Sequence, residues 1–423
     1  METDLNQVLF QALKDKDKKT FMEALEKGAD VNAKDNDGKT ALMFASIYNN
    51  PSEIAELLIA NGADINAKNN YGDTALKYAL QHGKTEVAKL LISKGAEVND
   101  NDLLTASTYG NLEVVKILIE KGMDVTKHIH GNTNLICACQ SGYPQNDNLE
   151  LVKLLIEKGA DVNEKRSYYG ETSLMYASAN GNIEVAKLLI EKGADLNAID
   201  IDGDTALMYA SNIGNPVLAQ MQIKIHADVN EKKEIDLTAQ MDALKYGKSE
   251  VAKLLIEKGA DINAKDKDGW TALIFASQNG NLEVVRLLIE KGADINAKNI
   301  NGATALLYAL YVDKSEIAKL LIEKGADVNA KHNNGWTTLM YASGIGYLDI
   351  AELIIAKGVD VNAKDKDGKT ALMFASEEGN LDVANLLIEK GADVNAKHID
   401  GKTALMYAKS KDMISLLKKA GAI

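Results

Sequence analysis

Two glycine-centred motifs recur along this chain, and their period constrains the fold more than any other feature. The first, DGWTALIFASQNGN from Asp268 to Asn281, has close copies beginning at Asp37, Asp202, Asn334, Asp367 and Asp400. Its turn glycine falls at Gly203, Gly269, Gly302, Gly335, Gly368 and Gly401; the last four steps are 33 residues each and the first is 66, with Asp236 where a glycine is due. The second glycine, in EKGAD or a near copy, recurs at Gly28, Gly62, Gly95, Gly122, Gly159, Gly193, Gly259, Gly292, Gly325, Gly358 and Gly391. Self-similarity at this period marks a solenoid, in which no unit buries its apolar faces alone and stacked copies share one linear core. About twelve repeats are expected, behind a shorter N-terminal unit.

The residues from Asp268 to Lys298 show what one unit does. Thr271 has the hydroxyl of a helix N-cap, ALIFASQN follows as the first helix, and Gly280 stops it. Leu273 and Ala276 share one face, and small Ala276 and Ser277 admit a close neighbour. A second helix, NLEVVRLLIEK, carries Val284, Leu287 and Leu288 at amphipathic spacing. Lys291 suits its C-terminal dipole, and Gly292 supplies the left-handed residue after it. ADINAKN then leads as an extended connection into the next tight turn. Glu283 and Arg286, at an i, i+3 spacing, belong to a solvated face.

DGWTALIFASQNGNLEVVRLLIEKGADINAK resembles an ankyrin repeat in its helix-turn-helix-loop form, and the resemblance covers essentially the whole chain. It implies an all-α ankyrin-repeat solenoid of stacked helix pairs joined by hairpin-like loops. The family's TPLH opening is written here as TAL followed by Met, Ile, Leu or Lys. Loss of the proline and of the histidine hydrogen bond is expected to soften each repeat. TAL-type, Lys-, Asn- and Ile-rich repeats are similar to those of host-associated microbes.

A single solenoid over residues 1–423 is expected, without an attached catalytic domain. Residues 1–36 lack the turn glycine and carry KDKDKK between two helical segments, as a polar-faced capping pair should. Residues 37–400 are internal repeats, and 401–423 form a C-terminal cap with KSKDMISLLKKAGAI. The period breaks in two regions, 99–147 and 221–243. Between Gly83 and Gly110 the spacing shrinks to 27, so the loop around Asn99–Asp102 has lost most of its turn. After Gly142, YPQND (Tyr143 to Asp147) is inserted between two helices. From Met221 to Ala243, His226 replaces the capping glycine and Asp236 the turn glycine. There Gln222 and Gln240 also replace leucines, and Asp242 replaces Tyr or Phe. Unpaired polar groups at core positions cost on the order of 1–3 kcal/mol each, so local stability is expected to dip here, by drift or as a joint or docking notch.

Composition narrows the functions. The net charge of −13, with Arg166 and Arg286 as the only arginines, argues against nucleic acid. No apolar run approaches a membrane span and the charged start is no signal peptide. With two cysteines only two positions apart, a cytoplasmic, reducing location is the expectation, with non-classical export as the alternative. His128, His130, Cys137 and Cys139 make an HxH–CxC set, but cysteines two apart on a helix point to different sides. The expectation is buried thiols beside a histidine-bearing turn, with no metal and no cofactor. No catalytic grouping stands out, so no enzyme is expected.

Recognition of a protein partner by a monomer remains. The resemblance implies that partners contact the hairpin tips and the first helices on the concave side. The positions there that the core does not dictate carry Tyr71, Tyr168, Tyr169, Ile201, Trp270, Ile300, Tyr311, Val312, Trp336, Ile345 and Ile399. These are the candidate binding residues, and the surface from Trp270 to Ile399 is favoured because aromatic anchors dominate interfaces. The alternatives are an effector that binds or inhibits a host protein and a structural spacer without a specific partner. Another reading of the two tryptophans is that they only pack against the neighbouring turn.

Overall fold

The computed structural model describes residues 4–47, 51–140, 145–233 and 237–423. Among them are 26 helices and no named strand; isolated antiparallel bridges such as Lys331 with Thr337 mark the hairpin loops. The chain is an all-helical repeat solenoid. Its contacts gather into two compact units, Met1–Ala206 and Leu207–Ile423.

Met1–Ala206 opens with the helices Leu5–Asp15 and Lys18–Glu26, each capped by an aspartate, Asp4 and Asp17. Helix pairs then follow one another, from Ala41–Ala45 with Pro51–Ala60 to Ser173–Ala179 with Ile183–Glu191. Asn99 caps the helix Asp100–Thr108 directly, in a box with Asp102, so the contracted repeat has a helix where others have a hairpin. Burial pushes the Asp102 carboxyl up, against the backbone N–H of Asn99 that draws it down. The helix Gln145–Glu157 begins inside the YPQND insertion; Tyr143 and Pro144 lie outside the described residues.

In Leu207–Ile423 the first helices of successive repeats are Ala239–Lys245, Ala272–Asn279, Ala305–Tyr311, Thr338–Ile345, Ala371–Glu378 and Ala404–Tyr407. Each is followed by a second helix, such as Ser249–Glu257, Leu282–Glu290 and Ser315–Glu323. Thr271 caps its helix as its position predicts, accepting the N–H of Ile274, and Gly280 ends that helix at φ 76°. The buried stripe of the next helix is Val284, Val285 and Leu288, while Leu287 is only half-buried. Each such side chain contributes about 1.5–3 kcal/mol. Glu283 pairs across the repeat boundary with Lys253.

The TAL opening is partly compensated. At three openings with methionine fourth, Thr40, Thr172 and Thr337, the methionine sulfur accepts the N–H of the capping threonine. Sulfur is a weak acceptor, but the group is not orphaned.

The repeats are stapled by an asparagine that periodicity alone does not reveal. Asn263 donates its amide to the carbonyl of Gly292 at 3.2 Å and accepts the N–H of Asp294 at 2.8 Å. Asn32, Asn163, Asn230, Asn362 and Asn395 do the same to the repeat that follows each.

The irregular stretch 221–243 is better satisfied than its composition suggests. His226 does take the left-handed conformation of the glycine it replaces, at φ 69°, a cost of about 1–2 kcal/mol for a residue with a Cβ. Asp242, however, is paired: Lys233 Nζ lies 2.6 Å from its Oδ2, and both side chains are largely buried. Gln240 is fully buried and neither atom of its amide has a hydrogen-bond partner. Asp236 lies outside the described residues.

Candidate protein-binding surface

Hairpin tips are tied to one another by backbone hydrogen bonds. In Leu207–Ile423 the residue two before each turn glycine donates its N–H to the residue just before the preceding turn glycine. Ile300 donates to Asp268 at 2.9 Å, Asn333 to Asn301 at 2.8 Å, Lys366 to Asn334 at 3.1 Å, and Ile399 to Asp367 at 2.8 Å. This pairing brings tips close enough to exclude side chains at the turns. A Cβ on Gly335, which sits at φ 91°, would meet the backbone N of Lys366 at 2.8 Å. With their backbones held, the side chains at the donating positions are displayed outward: Ile300 is 63% and Ile399 79% exposed. Tyr311 and Ile345 are exposed at the ends of their first helices and Val312 is half-buried.

Trp270 and Trp336 are placed differently. Both are half-buried. Trp270 lies between two rings of the first helices, Phe275 of its own repeat at 4.9 Å and Tyr308 of the next at 4.5 Å between centroids. Trp336 sits likewise between Tyr341 at 5.1 Å and Phe374 at 4.7 Å. The residue after the turn glycine is therefore an intercalator in a column whose other members are Phe275, Tyr308, Tyr341, Phe374 and Tyr407. Lys369 fills the next slot, its Nζ 4.3 Å from the Phe374 centroid and 5.0 Å from that of Tyr407. Lys402 covers Tyr407 from the last turn, at 5.8 Å. Such cation–π contacts are worth about 0.5–2 kcal/mol each.

One slot holds alanine. Ala303 follows Gly302 on a backbone matching its neighbours: its N–H meets Asn299 Oδ1 at 3.0 Å, as that of Trp270 meets Asp266 Oδ1 at 2.7 Å and that of Lys369 meets Asp365 Oδ1 at 2.7 Å. With only a methyl group there, a cleft of ≈ 290 Å³ opens beside Ala303, bordered by Leu307, Tyr308, Tyr311, His332, Asn334, Trp336 and Tyr341. Tyr311 meets Tyr341 edge-on at 6.2 Å. Burial, together with the neighbouring tyrosines, pushes the Tyr341 phenol up to about 12. Burial also raises Tyr308, against a hydrogen bond from Asn299. Tyr308 and Tyr341 thus face the cleft as neutral phenols at neutral pH.

In Met1–Ala206 the same slot is polar. Lys39 lies 5.9 Å from the centroid of Tyr78, and Glu171 accepts a hydrogen bond from the Tyr176 hydroxyl at 3.2 Å, to which Arg166 donates at 2.8 Å. Tyr71, Tyr168, Tyr169 and Ile201 are all exposed on tips. Tyr169 stacks under Arg166 at 4.9 Å and its carbonyl accepts the N–H of Ile201 at 2.8 Å.

A family model described as ankyrin repeats (3 copies) matches residues 9–102, 103–166, 144–233, 207–299, 298–365, 331–398 and 346–422. The chain belongs to the ankyrin-repeat family. No curated protein matches it. Ankyrin repeats are generally modules of protein–protein interaction and typically non-catalytic. Among the described residues no helix is long and apolar enough to cross a membrane.

Cys137 and Cys139 are buried, free thiols; burial raises Cys137 and pushes Cys139 up to about 12, so neither supplies a reactive thiolate. His128 Nε2 lies 2.5 Å from Glu164 Oε1 in the following repeat, and His130 takes φ 51° in its turn. Among the described residues no group of three or more His, Cys, Asp or Glu side chains is arranged to hold a metal. A larger cleft of ≈ 780 Å³ lies against the first two helices, but Asp4, Asn6, Thr20, Glu23 and Lys27 give it a polar lining without an aromatic anchor.

Sequence reasoning missed Ala303, Tyr308 and Tyr341. It read the aromatics of the first helices as fold-dictated and passed over an alanine as bland. The available signal was an alignment of the residue after each turn glycine, which reads Trp270, Ala303, Trp336, Lys369 and Lys402.

Proposed function

We propose that this ankyrin array is a non-catalytic scaffold that binds a partner protein through the hairpin tips and first helices of residues 270–399, the concave side of such arrays. The observation that carries this reading is the display of large apolar side chains, Ile300 and Ile399 on backbone-tied tips and Tyr311 at the end of a first helix. A monomeric protein gains nothing in its own core from isoleucines so exposed, and residues on loops held by a rigid scaffold are where binding groups are commonly carried. Rigid tips also lower the entropic cost of binding, because the contacting backbone is ordered beforehand. The half-buried tryptophans stiffen the floor beneath the tips, and their exposed edges add aromatic area.

The test is affinity capture with mass spectrometry, comparing the native chain with the double variant Ile300→Glu, Ile399→Glu. Both side chains are exposed, so helicity and melting temperature should be unchanged while the partner captured by the native chain is lost, with affinity reduced at least about tenfold, 1.4 kcal/mol. Undiminished capture by the double variant would remove these tips from the interface.

A further inference from the structure

The slots of the aromatic column show what kind of group fits between consecutive first-helix rings. In neighbouring repeats the occupant is either planar, Trp270 and Trp336, or cationic, Lys369. At Ala303 the backbone hydrogen bonds are kept and the side chain is missing, leaving the ≈ 290 Å³ cleft bordered by Tyr308, Tyr311, Trp336 and Tyr341. We propose that this cleft receives an arginine side chain of a partner protein, its guanidinium entering between Tyr308 and Tyr341 as Lys369 enters between Phe374 and Tyr407. The proposal rests on the protein-binding reading of the same face and names the chemistry one of its pockets recognises.

Four observations select arginine. Its guanidinium is both planar and cationic, so it combines the properties of the two kinds of residue that fill the equivalent slots. In the Lys369 slot the ammonium is also paired with Glu377, whereas Tyr311 occupies the corresponding position beside Ala303, so the cleft offers rings in place of a carboxylate. Rings favour the less strongly hydrated cation, which is arginine over lysine. The chain carries a net charge of −13, which favours approach of a basic partner segment. Asn334 lines the cleft as well; its Oδ1 accepts the Trp336 N–H at 3.0 Å and has a second lone pair for a guanidinium N–H.

The two tryptophans make a built-in reporter, because Trp336 borders the cleft and Trp270 does not. Full-length protein labelled with 5-fluorotryptophan gives two ¹⁹F resonances, assigned by Trp270→Phe. The probes are capped pentapeptides of glycine and serine with arginine, lysine, norleucine or tryptophan in the centre. The arginine peptide should shift Trp336 saturably and leave Trp270 still, with lysine several-fold weaker and norleucine silent. Ala303→Lys, which copies the Lys369 slot, should fold with an undiminished melting temperature and weaken the arginine peptide at least tenfold. Tyr311→Ala, which empties the rim without filling the cleft, should weaken it several-fold.

Equal binding of norleucine, tighter binding of tryptophan, no Trp336 shift with arginine at tens of millimolar, or full arginine binding by folded Ala303→Lys would each overturn the proposal. Its failure is separable from that of the wider reading. Partner capture lost in Ile300→Glu, Ile399→Glu with Trp336 unmoved by arginine keeps the interface and rejects the pocket. An arginine response with capture untouched keeps the pocket and rejects those tips.

Discussion

At the scale of single residues, Gln240 shows how the repeat pattern and its exceptions carry different information. It stands where other copies place leucine, as Leu273 does one period later, and both of its amide atoms are buried without partners. Removing an unsatisfied buried amide while restoring apolar contacts should stabilise the fold. Gln240→Leu is therefore expected to raise unfolding free energy by about 1–3 kcal/mol, read as a shift of the denaturation midpoint without a change in slope. Legibility at this scale was uneven. The helix caps at Thr271 and Gly280 were readable because capping chemistry is local. That Trp270 lies between Phe275 and Tyr308 was not, because the contact joins residues of two repeats and depends on how closely they stack.

Among elements, the loop at Lys233 and the helix Ala239–Lys245 are joined by an ion pair that replaces two standard features of the repeat. Lys233 stands where Asp266 receives the Trp270 N–H, and Asp242 stands where Phe275 meets the column. Asp242→Ala should destabilise the fold, because it removes a carboxylate that faces the Lys233 ammonium where both side chains are largely buried. The double exchange Lys233→Asp, Asp242→Phe, which writes in the residues of the next repeat, should recover most of that loss. Hydrogen exchange across residues 237–247 reports both: faster for the single variant, near native for the double. Failure of the double to recover would show that the pair has no repeat-like substitute here. The sequence disclosed each polar substitution but not that two of them compensate, since nothing local links positions 233 and 242.

On the scale of the whole molecule, the helix pairs and the solenoid were legible because the period repeats the same instruction many times. The candidate surface was legible only in its exposed part. Ile300, Tyr311 and Ile399 follow from positions the core leaves free, whereas the cleft at Ala303 is visible only once the column is assembled. Because each repeat meets only its neighbours, excising residues 302–334, one period, sets Asn301 directly before Gly335 and should leave a cooperatively folding, helical chain. Excising residues 302–317, half of that length, pairs unlike faces and should abolish cooperative melting of the surrounding repeats. Circular dichroism and thermal melts distinguish the two, and equal behaviour would refute nearest-neighbour stacking.

The asparagine staples have a consequence for how such a chain grows. Asn263 asks of the next unit only a glycine carbonyl and one backbone N–H, and every copy that ends in the same loop offers both. A duplicated or lost repeat thus finds its connections already made, with no second mutation required. Copy number becomes a heritable variable that selection can adjust independently of the surface, and a slot emptied in one copy, as at Ala303, can be altered while its sisters keep the structure standing.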